Sequence, residues 1–401
     1  MERRVFLKLM AQFAAMAFCW RKEGVAFSQS LPGARLPARG KPTRVSLAGV
    51  ERGASSQIVK SAVRAAAESA TNFSWLSRGD AVFIKPALNS GNPYPATTSP
   101  EAIGAVVEML KDRGARRIIV GDMCGIEHVK LSQEGLSGSS RSLMEASGMA
   151  RAVTAAGAEL HFFEEAGWAA FYEDLPAAGS HWKHGLMMPT ILKEVDHIIL
   201  MPRCARHVLA GSTLGLKAAV GYWRTDTRLE YHRDASTFQE KTAEGNTVET
   251  LLKKQRLVIS AADKILTTYG PDKGLVLEPE IGLVMASESV VAHDMVSLAW
   301  LLENRLAVSS SEKEGFKDPY GSQFMVSAGN HWVVNKLGGL GQAFDSEKLT
   351  RNDIDTIWDD RVLNRAYQVS GNMPAVVLEP ANDVLPQTLK KRLAECTTPP
   401  A

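Results

Sequence analysis

Two short apolar runs, residues 81–84 and 117–121, stand on either side of a segment whose apolar residues fall at helical spacing. No other feature narrows the choice of fold as much. Ile103, Val106, Val107 and Leu110 form one stripe. Ser99 is placed to cap that helix, Pro100 takes its first position, Glu101 lies in the first turn, and Gly114 ends it. A strand, a helix and a strand in this order call for a right-handed parallel crossover. The alternation extends along the chain. Residues 44–50, 159–163, 195–201, 257–261, 282–286 and 375–378 read as strands, and 56–69, 143–156, 248–255, 289–302 and 324–337 as helices. The expected fold is α/β, a mainly parallel sheet flanked by helices, with length enough for two lobes around a cleft. Residues 125–140 read as a loop, and residues 166–190 follow no period and read as a connector or lid.

Composition excludes several classes. The net charge is +2 and the basic residues are scattered, so neither a nucleic-acid stripe nor a membrane-surface patch is expected. The four cysteines, Cys19, Cys124, Cys204 and Cys396, lie far apart without a C-x-x-C pair, which argues against a zinc ribbon or an iron–sulfur cluster. Three of them could make one disulfide at most; free buried thiols are the plainer expectation. A serine-hydrolase elbow, a Walker loop, a dinucleotide fingerprint and H-E-x-x-H are all missing from the sequence.

The N-terminus, Arg3-Arg4-Val5-Phe6-Leu7-Lys8, resembles the core of the twin-arginine export motif. A weakly apolar stretch interrupted by Gln12 follows; it suits a leader better than a stable transmembrane span. Residues 1–28 are therefore expected to be an export leader, residues 29–43 a linker, 44–305 the α/β domain, 306–396 an extension packed on it, and 397–401 a disordered tail. The motif implies the twin-arginine machinery as a partner and a periplasmic or otherwise exported location. That route carries folded proteins, often with a cofactor already inserted.

The segment 204–221 holds the strongest candidates for chemistry. It follows the strand 195–201 and Pro202, and sets His207 ten residues before Lys217, with Gly211, Gly215 and Gly221 around them. A buried strand, a polar loop and a helix start are where open α/β sheets gather ligand-binding groups. His207 could act as acid, base or metal ligand. Lys217 could face an anion held by the N–H groups of a helix start. Lys85, at the end of another buried strand, could bind an anion or act as a base once desolvated. Asp122 at a strand end could orient a lysine, hold a cation, or cap a turn. Arg228 with His232 suits a carboxylate or phosphate. Asp294 at a helix start is either a binding residue or a cap. His128, His161, His181, His184, His197 and His331 show no partner pattern and are read as structural or surface residues.

Taken in order, several motifs resemble the domain of unknown function 362 family. They are Lys85-Pro86-Ala87-Leu88, Thr97-Thr98-Ser99-Pro100-Glu101, Gly121-Asp122, Pro202-Arg203-Cys204-Ala205-Arg206-His207, Leu216-Lys217-Ala218-Ala219-Val220-Gly221, His232, Gly270-Pro271 and Asp294. The resemblance spans roughly residues 44–305. It implies an α/β domain with Lys85, His207 and Lys217 as catalytic candidates, and Asp122, Arg228, His232 and Asp294 as cofactor-binding candidates. The departures are Ala87 and Ala218 in place of asparagines, Arg203 and Ala205 in place of lysines, and no cysteine-rich segment. Two functions follow. One is an exported enzyme that binds an anionic small molecule, or a metal or organic cofactor, in a cleft lined by Lys and His. The other is a non-catalytic binding or scaffold protein on a degenerate copy of the fold.

Overall fold

The computed structural model describes residues 37–268, 270–309 and 323–400. The leader expected over residues 1–28 lies outside them, as does Cys19. The main sheet has eight strands: β1 Arg39–Glu51, β2 Ala81–Pro86, β3 Arg117–Asp122, β4 Glu159–Phe162, β5 His197–Met201, β6 Gln255–Ala262, β7 Ile281–Ser287 and β8 Met373–Pro380. Their spatial order is β8-β1-β7-β6-β5-β2-β3-β4. Strand β7 runs antiparallel to both neighbours, β1 and β6. The other pairings are parallel. The fold is thus α/β with a mostly parallel sheet, flanked by helices.

The helices are α1 Ser56–Ala70, α2 Pro100–Asp112, α3 Ser140–Ala146, α4 Met149–Ala156, α5 Gly215–Ala218, α6 Thr225–Arg233, α7 Phe238–Glu244, α8 Glu249–Lys254, α9 Val290–Ala307, α10 Gln323–Phe344, α11 Arg361–Val369 and α12 Gln387–Cys396. Local signals set their starts. The Ser55, Ser99 and Ser289 hydroxyls accept from Ile58 N, Ala102 N and Ala292 N, supplying backbone donors that the first turn leaves open. In the central strands burial dominates. Val82, Phe83 and Ile84 are fully buried, which suits a parallel strand covered on both faces. Each such side chain contributes about 1.5–3 kcal/mol by leaving water.

Several segments differ from expectation. The helix read over 143–156 is two helices, α3 and α4, because Gly148 adopts φ 85° between them. The segment 166–190 is no free lid. Its strands Phe171–Asp174 and Leu186–Pro189 form an antiparallel hairpin, and the turn between them is latched to α6 and α7. His181 Nδ1 lies 2.7 Å from Glu244 Oε1, and His184 Nδ1 lies 2.6 Å from Glu230 Oε2. His197 and His331 likewise have partners, in Asp80 and the Ser327 carbonyl. Strand β1 begins at Arg39, inside the expected linker, because β8 pairs alongside it from Arg39↔Met373 to Leu47↔Pro380. The segment beyond residue 305 therefore supplies an edge strand of the sheet. Thr397 is buried and its hydroxyl bonds the Leu393 carbonyl, so it closes α12 where a disordered tail was expected to begin. Among the described residues no helix is long and apolar enough to cross a membrane. Cys124 and Cys204 are free and buried, and Cys396 is free and exposed.

The sheet order determines where a ligand would go. From β2 the chain moves to β3 and β4 on one side, then returns as β5 on the other side of β2. Because β5, β2 and β3 are parallel, their carboxyl ends open on one edge, with Lys85 opposite Leu200 and Pro86 opposite Met201. The crevice at such a reversal is the general ligand position of open parallel sheets.

Candidate functional site

Lys85, at the end of β2, and Asp122, at the end of β3, meet at that edge. Nζ of Lys85 lies 2.9 Å from Oδ2 of Asp122, and both side chains are almost wholly buried. The same ammonium donates to the Pro86 carbonyl at 2.7 Å. Asp122 in turn accepts from Leu88 N at 3.0 Å and Met123 N at 2.8 Å, so its carboxylate holds the loops after both strands. Burial pulls Lys85 below the usual lysine range and pushes Asp122 above the usual carboxylate range, and each partner opposes the other's shift. Gly221 has to be glycine here, because a Cβ would lie against Lys85 Nζ and Asp122 Oδ1.

Arg228 ties the next layer together. Its guanidinium donates to the carbonyls of Cys124 at 2.7 Å, Met123 at 2.9 Å and Gly221 at 3.0 Å. The structure gives it these three backbone partners and leaves Nε without one among the described residues. Asp294 is similarly engaged. Its two oxygens accept from Gly215 N at 2.8 Å and Leu216 N at 2.7 Å. The helix-start donors expected to hold an external anion beside Lys217 are thus filled by the chain's own carboxylate. Asp294 Oδ1 also meets His293 Nδ1 at 3.0 Å, and His293 Nε2 meets Ser260 Oγ at 2.9 Å. This Ser–His–Asp order has the connectivity of a hydrolytic triad, and all three residues are at most 2% exposed. It is a buried tie between β6, α9 and α5.

The remaining candidates lie above this floor. The short strands Ala205–His207 and Gly211–Thr213 form a hairpin, and at its turn His207 Nδ1 accepts from Leu209 N at 3.1 Å and Ala210 N at 3.3 Å. That places the ring proton on Nε2, so the neutral ring offers a donor and no free lone pair for a metal. His232 is the reverse case. Asn330 Nδ2 donates to the His232 carbonyl at 2.8 Å, which directs Asn330 Oδ1 toward His232 Nδ1, also at 2.8 Å. Nδ1 therefore carries the proton, and Nε2 keeps its lone pair. Burial holds both rings neutral, His207 well below the usual histidine range and His232 at about 3; the nearby Lys217 adds to both shifts.

Lys217 projects from α5, where part of its side chain still meets solvent. Its amino group has no acceptor and no carboxylate partner among the described residues, and its recorded neighbour is the Tyr231 ring, 5.9 Å to the centroid. Desolvation, with Arg203 and Arg228 adding like charge, pulls it down to about 7. Arg203 completes the group and was read from sequence only as a departure from a family lysine. It is 1% exposed. One guanidinium nitrogen donates to the Ala96 and Pro271 carbonyls, while Nε and Nη2 are buried without a partner among the described residues. The buried Tyr222 hydroxyl also lacks one, and its ring lies 5.4 Å from Lys85 Nζ.

One signal missed by the sequence reading would have found Arg203. Arg203 follows the strand-end Pro202, on the edge where ligands bind, and a buried arginine there is charged whatever a family lysine would have done. Asn330 carries no local signal, since it reaches His232 from the helix α10 near the far end of the chain. Elsewhere, Glu127, His128 and Asp272 bring three ligand-type atoms within 4.8 Å of one another, a set with the spacing of a metal centre. It involves neither His207 nor His232.

A profile of the family described as "Domain of unknown function (DUF362)" matches residues 82–299. No curated protein matches the sequence. Among solved structures, the chain is similar to a protein of Thermotoga maritima at 12% identity and a TM-score of 0.41, covering 65% of this chain and 61% of that one. It is also similar to the lactate racemase apoprotein of Thermoanaerobacterium thermosaccharolyticum at 12% identity and a TM-score of 0.35, covering 67% of this chain and 57% of that one. The chain thus spans about six tenths of the length of either structure.

The buried pair makes a clear energetic prediction. Asp122→Leu leaves the Lys85 ammonium buried without its carboxylate and is expected to cost about 3–5 kcal/mol, as is Lys85→Met. The double variant removes both charges and should regain much of that loss in urea unfolding. Strictly additive losses would show that the two groups do not stabilise each other.

Proposed function

The chain belongs to the domain of unknown function 362 family, and on that premise we propose that it is an enzyme that binds a small anion at the crevice between β2 and β5. One observation carries the reading. Two nitrogens of Arg203, Nε of Arg228 and the Tyr222 hydroxyl are buried without a partner among the described residues, against one such carboxylate oxygen near Arg203, Oδ1 of Asp272. Asp122 is already engaged by Lys85 and by two backbone N–H groups, those of Leu88 and Met123. A carboxylate or phosphate supplies the missing acceptors.

In this reading Arg203 grips the anion through two donors, Lys217 adds a point charge, and His207 Nε2 donates. The acid–base role expected of His207 passes to Lys217, whose amine titrates near 7 and so exchanges a proton at neutral pH. His232 offers an acceptor at Nε2 for a hydroxyl of the ligand. A binding protein without turnover is the second reading, favoured by Asp294 filling the helix-start donors that an active site would leave open. The Arg3-Arg4 leader-like sequence supports work outside the cytoplasm after passage through the twin-arginine machinery.

Calorimetric titration with inorganic phosphate and with malonate tests the binding. Wild type should take up one of them saturably, and both Arg203→Gln and Lys217→Met should weaken it at least tenfold, roughly 1.4 kcal/mol. Unchanged affinity in both variants sinks the reading. Export is tested by fractionating cells that make the full chain with Arg3→Lys and Arg4→Lys together. The variant should stay in the cytoplasm, and normal export would contradict the leader.

A further inference from the structure

Segments from distant parts of the chain also converge around Glu127, His128 and Asp272. Strands β6, β5, β2 and β3 are neighbours in that order and run parallel, so the segments that follow them leave from one edge of the sheet. Residues 271 and 272, in the segment after β6, are gripped by two of the others. Arg203, after β5, donates to the Pro271 carbonyl, and Asn92 Nδ2, after β2, donates to the Asp272 carbonyl at 2.9 Å. Glu127 and His128 arrive from the loop after β3.

Backbone bonds hold both sides of the cluster in place. The turn that carries Asp272 is closed by Gly270 N, which donates to the Lys273 carbonyl at 2.8 Å, and by Leu275 N, which donates to Thr268 Oγ1 at 2.9 Å. Across from it, His128 N and Val129 N both donate to the Gly125 carbonyl, at 3.0 and 3.1 Å, and Val129 is buried. Such fixed supports are what a ligand set needs.

Three observations point to a cation. One ligand-type atom from each of Glu127, His128 and Asp272 lies within 4.8 Å of the other two. Nε2 of His128 lies 3.8 Å from Oδ2 of Asp272, too far for a hydrogen bond but within the span of two atoms that share an ion at about 2.0–2.2 Å each. Elsewhere the chain closes such pairs fully, His181 with Glu244 at 2.7 Å and His184 with Glu230 at 2.6 Å. Finally, Oδ1 of Asp272 is buried without a partner among the described residues, although the Ser90 hydroxyl engages the same carboxylate. An acceptor left open in this way is unfavourable until something positive meets it. Arg203 places positive charge nearby, but one of its nitrogens is spent on the carbonyl of the preceding residue.

We propose that Glu127, His128 and Asp272 bind one divalent transition-metal ion, zinc or manganese, which clasps the segments after β3 and β6 together. An imidazole beside two carboxylates suits these ions better than calcium or magnesium, which prefer oxygen ligands alone. The two carboxylates balance the charge of the ion, and the imidazole joins as a neutral ligand. Glu127 is exposed and supplies the side from which an ion enters. Three protein ligands leave the remaining coordination positions to water. The site stands independently of the anion-binding reading, since none of its ligands is assigned to the anion.

The test uses the purified full chain, stripped with EDTA, dialysed into metal-free buffer, and titrated with zinc chloride or manganese chloride in a calorimeter. One ion per chain should bind. His128→Ala and Asp272→Asn should each weaken binding at least tenfold while circular dichroism stays that of wild type, and His184→Gln should leave it unchanged. Wild-type crystals soaked in the same salt should show an anomalous difference peak between Glu127, His128 and Asp272, a readout that does not depend on how the variants fold. Absence of stoichiometric uptake of either ion overturns the site. So does uptake that survives both variants, or an anomalous peak found at other residues alone.

Discussion

The buried contact between Lys85 and Asp122 is the interaction on which the rest of this edge depends. It joins the ends of two parallel strands that share no covalent proximity, and its hydrogen bonds to Pro86 O, Leu88 N and Met123 N hold both outgoing loops. Gly221 lies against the same pair, so the segment that carries His207 and Lys217 is positioned by the same two charges. The pair is costly to bury and harder still to break, since either partner alone would be an uncompensated charge in the interior. That asymmetry makes it a rigid floor.

Above the floor the balance of charge changes. Asp122 is matched by Lys85 and Asp294 by backbone donors, whereas Nε and Nη2 of the buried Arg203 have no hydrogen-bond partner among the described residues. Natural interiors satisfy nearly all their buried polar groups, and the unmatched donors at this strand-end edge support the proposed external acceptor. The two histidines divide the labour through their anchors. His207 is held as a donor by the backbone of its own turn, and His232 as an acceptor by Asn330. Neither role is visible from residue type alone.

Much of the scaffold was legible in the sequence because local chemistry specified it. Ser99, Pro100 and Glu101 announce α2, and the apolar runs at 81–84 and 118–121 are buried on both faces, as parallel strands require. Where Gly148 splits one expected helix into α3 and α4, the sequence carried the signal, but apolar periodicity ran straight through it. The roles of Arg228 and Asp294 were hidden for a different reason. Their partners are backbone atoms of distant segments, Met123, Cys124, Gly215 and Leu216, and no spacing encodes a contact of that kind. The C-terminal segment was underrated on the same grounds. It contributes β8 to the sheet and Asn330 to His232, both through pairings more than about ninety residues apart in the chain.

The most direct measurement of the central claim is a crystal structure grown in phosphate or malonate. The account predicts one anion at the carboxyl ends of β2 and β5, within hydrogen-bonding distance of Lys217 Nζ and of Arg203 Nε or Nη2. A well-ordered crevice without an anion at saturating concentration, with Arg203 and Lys217 paired to carboxylates of the chain, would contradict it.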